Sequence, residues 1–158
     1  MSAASAATGA HPHQPATSAE SSPAPELTLL FDGGCPLCLR EVDFLRRRVG
    51  SSGRMAFVDI DSSAYRPDDH AGISYREAMG RIHAIDAEGQ ILKDLEVFRR
   101  AYELIGLGWI YAPTRWPLLK PLAAALYGLW ARARLRLTGR PDLDELCRSR
   151  QNSGGCRL

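Results

Sequence analysis

Two cysteines three residues apart, Cys35 and Cys38, with Asp32 just before them, are the residues whose types and spacing can do chemistry. In Phe31-Asp32-Gly33-Gly34-Cys35-Pro36-Leu37-Cys38 a short apolar run ends in a Gly-Gly turn and a helical pattern follows. The Cys-x-x-Cys pair therefore stands at a strand-to-helix junction, a redox signature. Cys35 is expected just before the first helical residue, where free backbone N–H groups and the helix dipole favour a thiolate. The thiolate, not the thiol, attacks disulfides. Cys38 lies one turn later on the same side, where its sulfur can attack a mixed disulfide on Cys35 and release the substrate. The expected roles are Cys35 as nucleophile and Cys38 as resolving thiol. Asp32 has two readings at this stage. It makes an Asx turn onto Gly33 or Gly34, or it accepts the Cys38 proton during resolution. A nearby carboxylate also raises a thiol pKa, against the pull of the helix dipole. Gly33 and Gly34 are expected to supply close backbone approach and positive φ.

Two other readings of the pair stay open. One is half of a zinc or iron–sulfur site, the other inert packing. Zinc takes about four ligands. The remaining candidates, Cys147, Cys156, His70 and His83, show no tight ligand spacing, so no metal or cofactor is expected. Leu29-Leu30-Phe31-Asp32 also looks like the start of a phosphatase with an aspartate nucleophile, but that chemistry wants a second Asp where Gly34 stands.

The elements that must position the thiols can be read on either side of them. Leu27 to Phe31 is a short apolar run, the pattern of a buried strand. Cys38, Val42, Leu45 and Val49 lie on one helical face, widened by Leu37 and Phe44. Pro36 suits the first turn, Arg46 to Arg48 suit the last, and Gly50 caps it. Met55 to Ile60 reads as a second strand, so the unit is β-α-β with parallel strands. A polar loop over 61–72 is followed by a short helix from Ile73 to Met79. Arg81 to Ile85 and Gln90 to Leu92 form a hairpin around Asp86-Ala87-Glu88-Gly89. Asp94 is expected to cap a helix running through Ile105. A last helix is expected from about Trp116 to Leu137, bent near Pro121.

The chain has 158 residues, 45% apolar and 24% charged, enough for one domain with a core and too rich for a disordered chain. Residues 1–26 read as a tail, 27–140 as the domain, and 141–158, with Cys147 and Cys156, as a second loose tail. The first tail has no basic start and no Leu-rich stretch, so a secretory signal is not expected and the expected location is cytoplasmic. Residues 1–105 carry 11 basic and 15 acidic side chains, whereas 106–158 carry 9 basic and 3 acidic. Arg132 and Arg136, one helical turn apart, could meet an anionic partner or simply be solvated. Nucleic-acid binding is not expected, since no recognised motif or interleaved aromatics accompany the charge. Trp109, Tyr111, Trp116 and the Leu-rich helix make a membrane-surface contact conceivable, but this helix is expected to cover the sheet instead.

A parallel strand pair, then an antiparallel hairpin and a helix, is the minimal thioredoxin-like core, an α/β fold. The chain resembles the DCC family of thiol-disulfide oxidoreductases, small thioredoxin-like proteins named for an Asp-Cys-Cys pattern, here Asp32, Cys35 and Cys38. The resemblance runs from Leu27 to Arg140. It includes the hairpin and helix from Arg81 to Ile105 and an aromatic, Arg-rich closing segment from Tyr127 to Arg140. It implies a thioredoxin-like fold with an additional C-terminal helix. It also implies dithiol–disulfide exchange, whose chemistry makes a thiol- or disulfide-containing protein or a small thiol the expected partner. One departure from thioredoxins is the absence of proline at Met79-Gly80, just before the third strand, where thioredoxins place a cis-proline beside the disulfide.

Overall fold

The computed structural model describes residues 24–152. The first tail up to residue 23, and Cys156 in the second, lie outside the described residues. The chain builds β1 (Leu27–Phe31), α1 (Pro36–Val49), β2 (Met55–Asp59), α2 (Tyr75–Gly80), β3 (His83–Asp86), β4 (Ile91–Lys93), α3 (Leu95–Leu104), α4 (Lys120–Leu137) and α5 (Leu143–Asn152). The sheet order is β2-β1-β3-β4. β1 and β2 pair in parallel, Leu27 opposite Met55 and Phe31 opposite Asp59. β3 runs antiparallel to both β1 and β4. This mixed α/β sheet with helices on both faces is compatible with a thioredoxin-like fold.

Alternation along β1 divides the core, because successive side chains of a strand point to opposite faces. Leu27, Leu29 and Phe31 pack with Val42 and Leu45 of α1 and Val97, Ala101 and Leu104 of α3. Leu30 faces the other way, into a cluster with Ile60, Tyr65, Tyr75, Met79, Leu135, Leu146 and Cys147. The strand that ends at the thiols is thus held from both sides, which fixes the position of Asp32.

Four local expectations change. Residues 108–115 form a 3-10 segment, and α4 starts only at Lys120. Pro121 therefore sits in the first turn of α4, where its missing N–H costs nothing, and it makes no bend. Asp94 precedes α3 but makes no capping bond, at φ 57°. Its carboxylate instead meets Arg81 at 2.8 Å. α2 begins two residues later than read, behind a capping box formed by Ser74 and Glu77. The stretch read as a loose second tail carries α5, and Leu146 and Cys147 are buried. Leu143, Leu146 and Cys147 recur at helical spacing, and Asp142 accepts the Glu145 N–H at 2.9 Å.

α4 covers one flank of the sheet through Tyr127, Ala131, Arg134 and Leu135, and leaves Leu122, Leu126, Leu129 and Leu137 exposed. Among the described residues, no helix is long and apolar enough to cross a membrane.

Candidate active site

Cys35 is the residue just before α1, with extended backbone at φ −100° and ψ 111°. Its sulfur takes the place of the usual capping oxygen and accepts the Cys38 N–H at 3.3 Å. The Cys38 thiol donates to the same sulfur at 2.7 Å. That separation is well beyond the ~2.05 Å of a disulfide, and both cysteines are free thiols. Two donors therefore converge on Cys35, and both come from Cys38.

Cys35 is 1% exposed, while Cys38 is half-buried. Burial pushes the Cys38 thiol up to about 12, with the Cys35 sulfur and the Asp32 carboxylate adding to the effect and Arg134 opposing it. Arg134 is itself buried, a rare state for an arginine. Its Nη1 donates to the Cys38 sulfur at 3.1 Å and its Nη2 to the Met79 carbonyl.

Asp32 is also 1% exposed. Its Oδ1 accepts from the Gly34 N–H at 2.9 Å and from Arg140 Nη2 at 3.0 Å. Its Oδ2 is buried and has no hydrogen-bond partner. Burial raises its carboxyl above the ordinary range, against the pull of Arg140, the Gly34 N–H and Arg134. The two sequence readings of Asp32 thus fall on separate oxygens: Oδ1 makes the turn, and Oδ2 is open.

Gly33 and Gly34 act through close approach alone, since neither has positive φ. A Cβ on Gly33 would stand 2.1 Å from Asp59 Oδ2, and one on Gly34 2.3 Å from Arg140 Nη1. Asp59 Oδ1 accepts the Gly33 N–H at 2.9 Å and the Asp61 N–H at 2.8 Å, tying the turn to the end of β2. Arg140 also meets Asp61 Oδ2 at 3.0 Å, so one guanidinium bridges two carboxylates.

Sequence reasoning placed Asp32, Cys35 and Cys38, and the structure brings all three together. It missed Arg134 and Arg140 as site residues. The arginine pair singled out instead, Arg132 and Arg136, is exposed. Arg134 shares its face of α4 with Tyr127 and Ala131, a spacing that could have found it. Arg140 returns to the site because the chain turns at Gly139, φ 68°, and the Arg140 N–H bonds back to the Leu135 carbonyl at 2.8 Å. Cys147 lies in the second core cluster. Among the described residues no group of three or more His, Cys, Asp and Glu side chains is placed to hold a metal ion. Among the described residues, the zinc or iron–sulfur alternative thus finds Cys35 and Cys38 together without a third ligand. His83 is buried with Nδ1 at 2.9 Å from the Arg81 carbonyl, and His70 stacks on Tyr65.

A family model described as DCC1-like thiol-disulfide oxidoreductase matches residues 29–140. The chain is similar to an uncharacterised chloroplastic protein of Arabidopsis thaliana, 44% identical over 126 residues. The match covers 80% of this chain and 59% of that relative's length. No solved structure matches.

Proposed function

Because the chain belongs to the DCC1-like thiol-disulfide oxidoreductase family, we propose that it exchanges dithiols and disulfides through Cys35 and Cys38. One observation carries this reading: two free sulfurs lie 2.7 Å apart at the start of α1, with the Cys38 N–H and S–H both directed at Cys35. Both donors point at the Cys35 sulfur, where an attacking sulfur would receive them, so in this reading Cys35 attacks. The substrate S–S bond breaks, a mixed disulfide forms on Cys35, and the leaving sulfur takes a proton. Cys38 then loses its proton and attacks the Cys35 sulfur; the mixed S–S bond breaks, the second substrate sulfur leaves and takes up a proton, and the internal disulfide closes. Asp32 Oδ2, buried and unpartnered, is the acceptor for the Cys38 proton. Arg134 beside Cys38 steadies the thiolate as it forms. The substrate class is a thiol or disulfide on a protein or a small molecule.

A second order of attack has its own observation. Cys35 is 1% exposed, and Cys38 is the sulfur that borders open space. In that order the substrate sulfur joins Cys38 first and Cys35 closes the ring.

Single-serine variants separate the orders. Cys38→Ser accumulates mixed disulfide with an offered disulfide if Cys35 attacks, and Cys35→Ser accumulates it if Cys38 does. Both variants lose insulin-disulfide reduction. Retention of that activity by either variant removes the dithiol mechanism.

A further inference from the structure

A pocket of about 480 Å³ opens beside the thiols, and Cys38 forms part of its wall. Sites for small ligands span roughly 300–1,000 Å³. Phe98 of α3, Tyr111 of the 3-10 segment and Ala123, Leu126 and Trp130 of α4 form much of its apolar lining. Asp32, Glu41 and Arg134 are the charged side chains in it. Arg134 is committed to Cys38 and to the Met79 carbonyl. Asp32 Oδ2 and Glu41 Oε1 are buried without partners. Both are acceptors, so they favour a ligand that brings hydrogen-bond donors and disfavour one that brings a carboxylate.

The backbone around the pocket argues against an extended peptide. A peptide laid beside the start of β3 would need free N–H and C=O groups there. Arg134 already donates to the Met79 carbonyl, and the Tyr127 hydroxyl already accepts the Ile82 N–H at 3.2 Å. α4 thus occupies the backbone positions on which a strand would pair. An apolar small molecule needs neither group.

We propose that this pocket binds a low-molecular-weight disulfide carried on an apolar, uncharged body, such as a 1,2-dithiolane on an aliphatic amide. The proposal rests on the dithiol reading above and names its substrate class. One protein thiolate opens the ring S–S bond and forms a mixed disulfide. The other protein sulfur displaces it and closes Cys35–Cys38. The two protons from the protein thiols end on the two ligand sulfurs, which leave as a dithiol. The ligand gains two electrons and the protein pair loses two, so a single turnover needs no other reagent.

The test is single-turnover oxidation of the reduced full-length chain by lipoamide, lipoic acid, oxidised glutathione and insulin. Each rate is divided by the rate of the same disulfide with free dithiothreitol, which removes ring strain from the comparison. The redox midpoint of Cys35/Cys38 is read by thiol tagging on the same samples. The normalised rate with lipoamide should saturate and exceed that with oxidised glutathione by about tenfold or more. Lipoic acid should react several-fold more slowly than lipoamide. Ala123→Trp fills the pocket from a half-buried position on α4 and should abolish the lipoamide excess while the midpoint holds. Equal normalised rates, a faster reaction with insulin, or an excess that survives Ala123→Trp would overturn the proposal. A pair with no reversible two-electron transition is a different result, because it removes the dithiol reading itself and the pocket proposal with it.

Discussion

Arg134 Nη1 donates to the Cys38 sulfur across 3.1 Å, from a position 96 residues further along the chain. The same guanidinium holds the Met79 carbonyl, so one buried cation joins α4, the end of α2 and the thiol pair. Its charge opposes the burial that pushes Cys38 up. Arg134→Met should therefore raise the Cys38 thiol further and slow its alkylation at fixed pH. Stability should fall by about 1–3 kcal/mol, since the Met79 carbonyl is left buried without a partner. Iodoacetamide mass tagging across pH reads the first effect, and a urea midpoint reads the second. An unchanged alkylation profile would show that Arg134 is only a structural strut.

The Cys38 thiol also makes stability depend on alkaline pH. Its value moves from 9.0 to about 12, so folding favours the protonated form. That contribution is complete below pH 9 and is lost as pH rises through about 12. The urea midpoint of the reduced protein should drop between about pH 8 and about pH 10.5, and Cys38→Ala should flatten that drop. Equal slopes for the two proteins would assign the loss to other groups.

Asp32 works in the same sense at the acid end. Its folded value lies above the ordinary 3.8, so its stabilising contribution is full below that pH and is lost as pH rises through the folded value. Asp32→Asn removes a buried negative charge and keeps an oxygen for the Gly34 N–H. It should be at least as stable as wild type at neutral pH even though Arg140 loses an ion pair. It should also resolve mixed disulfides more slowly, by about tenfold to a hundredfold, within the range of a single proton acceptor. Urea midpoints and the lifetime of the mixed disulfide measure the two. A normal lifetime would leave Asp32 with the turn alone.

What could be read in the sequence was what local pattern determines. The β1-α1-β2 unit follows from two short apolar runs and an apolar stripe of about three helical turns, and Cys35 precedes α1 because Gly-Gly and Pro36 define that end. The hairpin followed from Asp86 to Gly89 for the same reason. Arg134 and Arg140 were hidden because their burial depends on contacts made far along the chain, and a cation at a buried position contradicts the usual partition of charge. α5 was hidden because its three apolar residues, Leu143, Leu146 and Cys147, are too few to separate a short helix from a tail. Their value comes only from the neighbours that the fold brings to them.

The Gly-Gly turn offers a test of packing separate from that of charge. A Cβ on Gly33 meets Asp59 Oδ2 at 2.1 Å, and Asp59 is held by two backbone N–H groups. A Cβ on Gly34 meets the far end of the Arg140 side chain, which can move only by giving up its contacts with Asp32 and Asp61. Gly33→Ala should thus cost more stability, about 1–3 kcal/mol as for overpacked sites. Gly34→Ala should cost less and act by moving Arg140 off Asp32. Chemical denaturation of both variants ranks them, and the opposite ranking would mean that Asp59 yields more easily than Arg140.

Arg150 carries the last prediction, because it ties α5 to the site without touching a thiol. It donates to the Asp61 carbonyl at 3.1 Å and to the Ser62 carbonyl, and its guanidinium lies 4.3 Å from the Tyr75 ring centroid. Asp61 in turn meets Arg140, which meets Asp32. The chain of contacts is long, and each link has other supports, so the effect should reach stability before it reaches chemistry. Arg150→Ala loses two hydrogen bonds and a cation–π contact, for about 1–3 kcal/mol. Exchange per folded molecule should stay within about twofold of wild type, whereas Arg140→Ala, which strips Asp32 of its cation, should slow resolution more. Urea midpoints and single-turnover rates taken side by side decide the matter. A larger kinetic effect from Arg150→Ala than from Arg140→Ala would mean that α5 positions the thiols directly.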